Sequence, residues 1–408
     1  MSSLLRGIRV VESAMLFNGD RLGALLGDLG ADVIKVESPG GGDYLRDMLG
    51  EVTPHFSPAF LQANRHKRSV TVDLKSEAGR SVFWRLLESA DVFVDGNAAG
   101  ACQKLGIGYE EQMEHNPGIV FCHYSGFGGS GPYAAIPTHG QMMDALAGAL
   151  PVELDPAGAP RRRAAGSTMN STEYGGEGHA TGAVYAAMHI AAALVQRART
   201  GRGCAIDVSS ADAVIANAWV GATYSINAER INDRSSIPPD ELGPKYGFYE
   251  TEDAKFVLFC CIETKFWQRF CRAVHREDLR GRIDPAGTVD YGNDDPDLRA
   301  ELARLFRTRS RSAWVELAAR EHLPLGPVLS DPSELPLDPH LSGREIFYPG
   351  EHPEAGPFVY IGQPAMVRGD AFQITRHAPT LGQHTEEILA ELGYDAAAVA
   401  SYRRDGVV

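Results

Sequence analysis

An α/β protein built on a largely parallel sheet is the fold class that the sequence predicts, on three observations. Short β-rich runs alternate with segments whose apolar residues recur at helical spacing through the first half of the chain. Glycine-rich stretches follow two of the strand runs, "SPGGGD" (38–43) and "GFGGSG" (126–131). No internal repeat or low-complexity tract breaks the rhythm. A βαβ alternation of this kind demands a sheet covered by helices on both faces.

The elements follow in order. "IRVVES" (8–13) reads as a strand, and Leu22, Leu25, Leu26 and Leu29 after it lie on one face of a helix. "ADVIKVE" (31–37) and "SVTVDL" (69–74) are further strands. A helix over 78–90 leads to "DVFVD" (91–95), then to "GIVFCHYS" (118–125). An alanine-rich helix over 183–199 is closed by "TGRG" (200–203), where glycine can end it in a left-handed conformation. "AIDVSSADAV" returns to strand and helix. The polar, proline-bearing stretch 229–245 reads as a linker, and 246–328 as a second region with the strand "FVLFCCIE" and two amphipathic helices. Residues 329–362, rich in Pro, Gly and His, read as a long crossover, and an apolar face near Ile388, Leu389 and Leu392 marks a terminal helix.

The chain has 408 residues, 44% hydrophobic and 23% charged, enough to bury an ample core in two domains. A formal net charge of −14 opposes binding to nucleic acid or an anionic membrane. The apolar run at the start is too short for a signal peptide, and no segment reaches about 18 uninterrupted apolar residues. These features, with six cysteines lacking metal-ligand spacing, predict free thiols and a cytoplasmic protein.

"GFGGSG" matches the dinucleotide fingerprint in letters, but Pro132 and Pro137 follow where a helix would have to open, so it reads as a tight turn. "SPGGGD" lacks the Lys-Ser/Thr of a P-loop. There is no HExxH, GxSxG or CxxC. "NRHKRS" (64–69) reads as solvated surface, or as a strand end facing a phosphate. His189 reads as a helix residue, and His139, just before a mixed helix, as a capping or packing residue. Two glutamates and a histidine, Glu173, Glu177 and His179, cluster at the glycine-rich entrance to the alanine-rich helix.

Taken together, "LRGIRVVE", "LGDLGADVIKVESPGGGDYLR", "NRHKRSVTVDLKSEAGR", "ADVFVDG", "HYSGFGGSGPY", "AALVQRARTGRGCAIDVS", "LPLGPVLS", "DPHL" and "APTLGQHTEEILAELGY" resemble, nearly end to end, the class III CoA-transferase family, whose relatives include the α-methylacyl-CoA racemases. The resemblance implies a large Rossmann-like domain built from both termini (1–228 and 329–408) and a smaller central α/β domain (229–328). It also implies two chains interlinked as rings in a homodimer. Its substrates would be coenzyme A in the form of acyl-CoA, and a carboxylic acid, with no metal. CoA would be contacted by Val72, Asp73, Leu74 and Lys75, by Gly96, Asn97 and Ala98, and by Lys104. The two lysines suit CoA phosphates as point charges. Two departures stand out: Ser38 replaces a frequent Arg after the "IKVE" strand, and the first loop reads "AMLFNGD".

In the transferases of this family an Asp near the start of the alanine-rich helix attacks the donor thioester, giving a mixed anhydride and then an enzyme thioester. Counting back from Thr200 puts that Asp on His179, and anchoring on Thr181-Gly182 puts it on Gly178; neither is an acid. Glu177 and Glu173 are the nearest substitutes. His139 stands where the racemases carry a histidine that, with an Asp, exchanges the proton α to the thioester, since inversion needs a base on each side of the carbon. Three readings follow: CoA transfer with Glu177 or Glu173 as nucleophile and His139 positioning the carbonyl; racemase-type proton transfer with His139 and a glutamate; and an acyl-CoA-binding paralogue without the Asp.

Overall fold

The computed structural model describes residues 3–150, 152–162, 177–231, 243–284, 287–293 and 295–408. In chain order, β1 (Arg9–Ser13), α1 (Leu16–Asp28), β2 (Asp32–Glu37), α2 (Pro58–Ala63), β3 (Lys67–Thr71), α3 (Glu77–Glu88) and β4 (Val92–Asp95) come first. They are followed by α4 (Ala101–Lys104), α5 (Tyr109–His115), β5 (Val120–Ser125), α6 (Met142–Leu146), the hairpin β6 (Val152–Leu154) and β7 (Pro160–Arg162), α7 (Glu177–Thr200), β8 (Cys204–Ser209), α8 (Ser210–Asn217) and α9 (Trp219–Ile226). Six of the strands form one parallel sheet in the order β3-β2-β1-β4-β5-β8.

Alternation along the strands fills both faces of that sheet. Val11, Ile34, Phe93 and Phe121 face α3 and the C-terminal helices, whereas Val10, Val33, Val92 and Val120 face α1 and α7. Ala183, Ala186, Ile190 and Ala193 of α7 are buried on the second face. By length and apolarity Gly178–Thr200 would also pass for a bilayer span. Its buried alanine stripe identifies it as a core helix of the sheet.

The described residues up to 226 and from 344 onward form one unit, and those between 227 and 343 another. The smaller unit has β9 (Tyr246–Glu250), β10 (Phe256–Cys260), α10 (Thr264–Ala273), α11 (Pro296–Phe306), α12 (Arg311–Glu321), β11 (Leu325–Val328) and α13 (Pro339–Gly343). Its antiparallel sheet runs β11-β10-β9 over a core of Trp267, Phe270, Phe306 and Trp314. Among the described residues of 246–328 three helices, α10, α11 and α12, stand where two were expected. The return to the large unit comes at 344 rather than 329, because Arg311 on α12 holds Val328 O at 2.8 Å and Glu334 at 3.3 Å, retaining the stretch after β11. The expected linker falls largely outside the described residues.

The large unit resumes with a hairpin, β12 (Phe347–His352) and β13 (Gly356–Ile361), then α14 (Thr385–Glu391) and α15 (Ala396–Arg404). This hairpin lies inside the expected crossover. The alanine-rich helix starts at Glu177, six residues before the expected 183. In this added stretch the Tyr124 ring packs where a Cβ on Gly182 would sit, 2.5 Å from the phenol oxygen, so glycine there serves close packing inside a helix.

The largest departure is "NRHKRS", which is buried rather than solvated. Each cation has a partner: Arg65 pairs with Asp28 (2.5 Å), Lys67 with Glu12 (2.8 Å), and Arg68 with Asp32 (2.6 Å) and Glu391 (2.6 Å). Lys35, also fully buried, meets Asp43 at 2.9 Å and contacts Asp20 and Glu12. Glycine at 23 lets α1 lie on this cluster, since a Cβ there would strike the Glu12 carboxylate at 1.7 Å. Burial and the Asp43 charge raise the Asp20 carboxyl well above its ordinary range, while Lys35 is held well above the usual lysine value against its own desolvation by Asp20 and Asp43.

Candidate active site

The strand order places a topological switch between β1 and β4, where ligands of open parallel sheets bind beyond the C-terminal strand ends. The turn after β1 is tightly held. Lys35 donates to Ala14 O (2.8 Å), and Asp43 accepts from Leu16 N (3.1 Å). Leu16 has φ of +62°, a left-handed conformation that costs a non-glycine residue about 1–2 kcal/mol and persists only where the surroundings impose it. Lys35 and Asp43 impose it here.

The segment after β4 is fixed to this turn. Gly96 N donates to Ser13 O (3.0 Å), Asn97 Nδ2 donates to Ser13 O (2.9 Å), and a Cβ on Gly96 would strike Ala14 Cβ at 2.5 Å. The segment after β3 lies three strand spacings away, ~14 Å along the same edge. There Val72 is buried with its N–H on Glu37 O (2.8 Å), Asp73 N donates to Val407 O (2.8 Å), and Lys75 N donates to Asp73 Oδ1 (3.1 Å). The Lys75 and Lys104 side chains are exposed, and among the described residues neither has an ion pair. Leu74 is half-buried and Ala98 exposed.

The entrance to α7 is packed against the start of α1. His179 Nε2 donates to Gly140 O at 3.0 Å, its Nδ1 contacts the Asn18 amide, and its ring lies 5.4 Å from Phe17. Burial lowers the pKa of this imidazole, so the ring is neutral. A carbonyl can only accept, so the hydrogen is on Nε2 and Nδ1 carries the lone pair. The Asn18 amide must then turn its N–H to Nδ1 and its oxygen to Ser210 Oγ, 3.2 Å from the amide. Tyr124 OH donates to His179 O (2.9 Å) and approaches Gly178 O (3.3 Å); burial raises its pKa and keeps it a phenol. Ser210 Oγ stands 3.2 Å from the Tyr124 oxygen.

Asp144 on α6 completes the entrance. Gly178 N donates to its Oδ1 (3.1 Å), while Oδ2 is buried without a hydrogen-bond partner. Asn18, Tyr124, Asp144 and Ser210 were not read as site residues. The available signal for Asp144 was an acid inside the apolar run "QMMDALAGAL". His139 is exposed, with its backbone N–H toward Met142 Sδ (3.3 Å), and is followed by the glycine whose carbonyl holds His179. Glu173 lies outside the described residues; Glu177 opens α7, and its side chain lies outside them too.

The glycine loop opens no helix. Gly129 N donates to both carboxylate oxygens of Asp207 (2.8 and 3.0 Å), and Asp207 Oδ1 stands 3.0 Å from His123 Nδ1. His123 Nε2 reaches Asn97 O at 3.3 Å, which ties this loop to the segment after β4. Among the described residues, Asp47, Glu51 and His55 alone have a geometry that could hold a metal ion; all three are exposed, and none belongs to the α7 entrance.

A family model described as CoA-transferase family III matches residues 5–385. An acyl-CoA transferase of Fusarium pseudograminearum is 30% identical over 99% of this chain and 88% of its own length. A formyl-CoA:oxalate CoA-transferase of Rhodopseudomonas palustris is 27% identical over 100% of this chain and 98% of its own. Among solved structures, a CaiB/BaiF family protein from Brucella suis superposes with a TM-score of 0.73 at 25% identity, covering 96% of this chain and 100% of that one.

Proposed function

The chain belongs to CoA-transferase family III, and from that membership we propose that it moves CoA from an acyl-CoA thioester to a free carboxylic acid through enzyme-bound intermediates. The observation that carries the reading is the α7 entrance, held at the sheet's switch point in a chain that the family model spans from 5 to 385. In this reading the Glu177 carboxylate attacks the thioester carbonyl, expelling CoA thiolate and forming a mixed anhydride. The thiolate attacks the glutamyl carbonyl, releasing the donor acid and leaving a glutamyl-CoA thioester. The acceptor carboxylate reverses both steps and frees the glutamate. His179 is a poor nucleophile here because both ring nitrogens are engaged, and the free oxygen of Asp144 is buried. Glu173 is the second candidate. CoA would lie along Val72–Lys75 and Gly96–Ala98, with Lys75 and Lys104 offering unpaired charges to its phosphates.

A homodimer belongs to the same proposal. Val184 (55% exposed) and Met188 on α7, with Trp219 (66%) and Ile226 (79%) on α9, present apolar surface that a second copy would cover. The six free cysteines fit a reducing, cytoplasmic setting.

Incubation with an acyl-CoA and a second free acid should place CoA on that acid, with a glutamyl adduct cleaved by hydroxylamine. Glu177→Gln should lower the rate about 10³-fold or more. If Glu177→Gln and Glu173→Gln both keep full activity, the nucleophile is wrongly assigned. A second reading, racemase-type proton transfer at Cα, is favoured by exposed His139 standing one residue from the carbonyl that binds His179. Deuterium entering Cα from heavy water without any acceptor acid would establish it. Binding of CoA with no turnover of a broad acyl-CoA panel would leave only an acyl-CoA-binding paralogue.

A further inference from the structure

A cavity of about 450 Å³ in the large unit lies between the β12–β13 turn and the stretch before α14. Arg376, His377 and Gln383 bring hydrogen-bond donors to one side of its wall. Arg376 is half-buried and has no ion pair among the described residues. Gln383 Oε1 accepts from Thr380 N (3.0 Å), which turns the amide NH₂ the other way. Tyr360 OH stands 3.3 Å from His377 Nδ1. Burial pushes the Tyr360 phenol up to about 12, so it donates and leaves the His377 hydrogen on Nε2. Burial also lowers the His377 pKa and keeps that ring neutral.

The remaining wall is a fixed aromatic surface. His352 donates from Nε2 to Ala378 O (3.0 Å) and accepts at Nδ1 from Glu354 N and Ala355 N (3.1 and 3.0 Å), so it has no polar capacity left. Its ring sits edge-on to Phe56 at 4.7 Å between centroids. The one carboxylate at the wall, Glu354, is exposed.

A guanidinium, an imidazole N–H and an amide NH₂ in one cavity call for an oxyanion, and donors from several side chains suit a group with three terminal oxygens better than a planar carboxylate. The volume exceeds that of a lone phosphate and leaves room for a flat ring against Phe56 and His352. We propose that the Arg376 cavity binds a phosphate monoester carrying a flat ring, the chemistry of a nucleotide. Two sources share that chemistry: a free nucleotide and the nucleotide end of CoA.

Titration with inorganic phosphate and with AMP tests the site without requiring turnover, so the outcome is independent of the transferase reading. Both probes should bind the unaltered chain, with AMP the tighter of the two. Arg376→Ala should weaken both at least tenfold and Arg376→Lys less, with thermal melting checking that each variant folds. His377→Ala should weaken phosphate with Arg376 intact. If AMP raises the KM for acyl-CoA and Arg376→Ala does likewise, the ligand is the nucleotide end of CoA. If the variant loses AMP while that KM is unchanged, the ligand is a free nucleotide. Equal binding of both probes to Arg376→Ala and to the unaltered chain, or binding of neither at millimolar concentration, would overturn the proposal.

Discussion

The two units differ in how much charge they bury beside their apolar cores. Beneath α1 the large unit packs Glu12, Asp20, Lys35, Asp43 and Lys67, each at most 1% exposed, while the small unit closes on Phe259, Trp267, Phe270, Phe306 and Trp314. Desolvating charges is expensive, and a hydrophobic interior of the same volume is often at least as stable. The charged interior is therefore better understood as a positioning device. Lys35 and Asp43 hold Ala14 O and Leu16 N, so they fix the left-handed turn that delivers Phe17 and Asn18 to His179. The aromatic interior stabilises its unit mainly by area and ring packing, with Trp267 Nε1 on Leu279 O (2.9 Å) and Trp314 Nε1 on Phe306 O (2.8 Å).

Breaking the cluster should give the largest effect. Lys35→Met leaves Asp20, Asp43 and Glu12 short of a cation and should cost the large unit about 3–5 kcal/mol, with activity falling further than stability because the β1–α1 turn loosens. Leu302→Ala in the small unit should cost about 2–5 kcal/mol through cavity formation and leave the activity of the folded fraction near normal. The four tryptophans divide evenly, Trp84 and Trp219 in the large unit and Trp267 and Trp314 in the small one, so single-tryptophan variants can follow each unit in denaturant. Equal activity losses in the two variants would refute the positioning role.

Acid should separate the units by a smaller margin. Burial raises Asp43, but the Lys35 charge and the Leu45 N–H outweigh it and lower its pKa from 3.8 to about 2. A depressed carboxylate stabilises the fold above its unfolded pKa, and that stability disappears as the pH falls through the folded value. The contribution of Asp43 should thus be complete above about pH 5 and fall by about 2 kcal/mol toward pH 2. Glu37 and Asp28 are lowered and add in the same direction, whereas Asp20 is raised and opposes them. In the small unit Asp278 is depressed by Arg276 at the surface, where solvent screens the pair. Acid titration of the two tryptophan pairs should show the large unit opening first.

The same contrast explains what was legible in the sequence. Strands such as Val92–Asp95 and Val120–Ser125, and the helix Glu77–Glu88, follow from the period, because the apolar side chains that form the core also mark the pattern. "NRHKRS" could not be read this way. Its burial depends on Glu12, Asp28 and Asp32, which are distant in sequence and meet it only once β1, β2 and β3 are paired. The early start of α7 was hidden for a similar reason, since glycine lowers helix propensity and only the Tyr124 ring explains Gly182. At the site, the glutamates and His179 were visible as a cluster. Asn18, Asp144 and Ser210 were not, because each acts through a contact more than 30 residues away in sequence.

Tyr124→Phe gives the smallest expected change in stability and the sharpest use of the comparison. The phenol contributes one good hydrogen bond to His179 O and a longer one to Gly178 O, at the first turn of α7. Removing it should cost about 1 kcal/mol, since the ring and its packing against Gly182 remain. If the polar interior of the large unit serves position, kcat should fall much further than that stability change would produce, with KM little altered. Leu302→Ala should show the reverse, a larger stability loss with kcat preserved. An unchanged kcat in Tyr124→Phe would mean that Asp144 and the Asn18–His179 contact suffice to hold the α7 entrance, and that the phenol adds only stability.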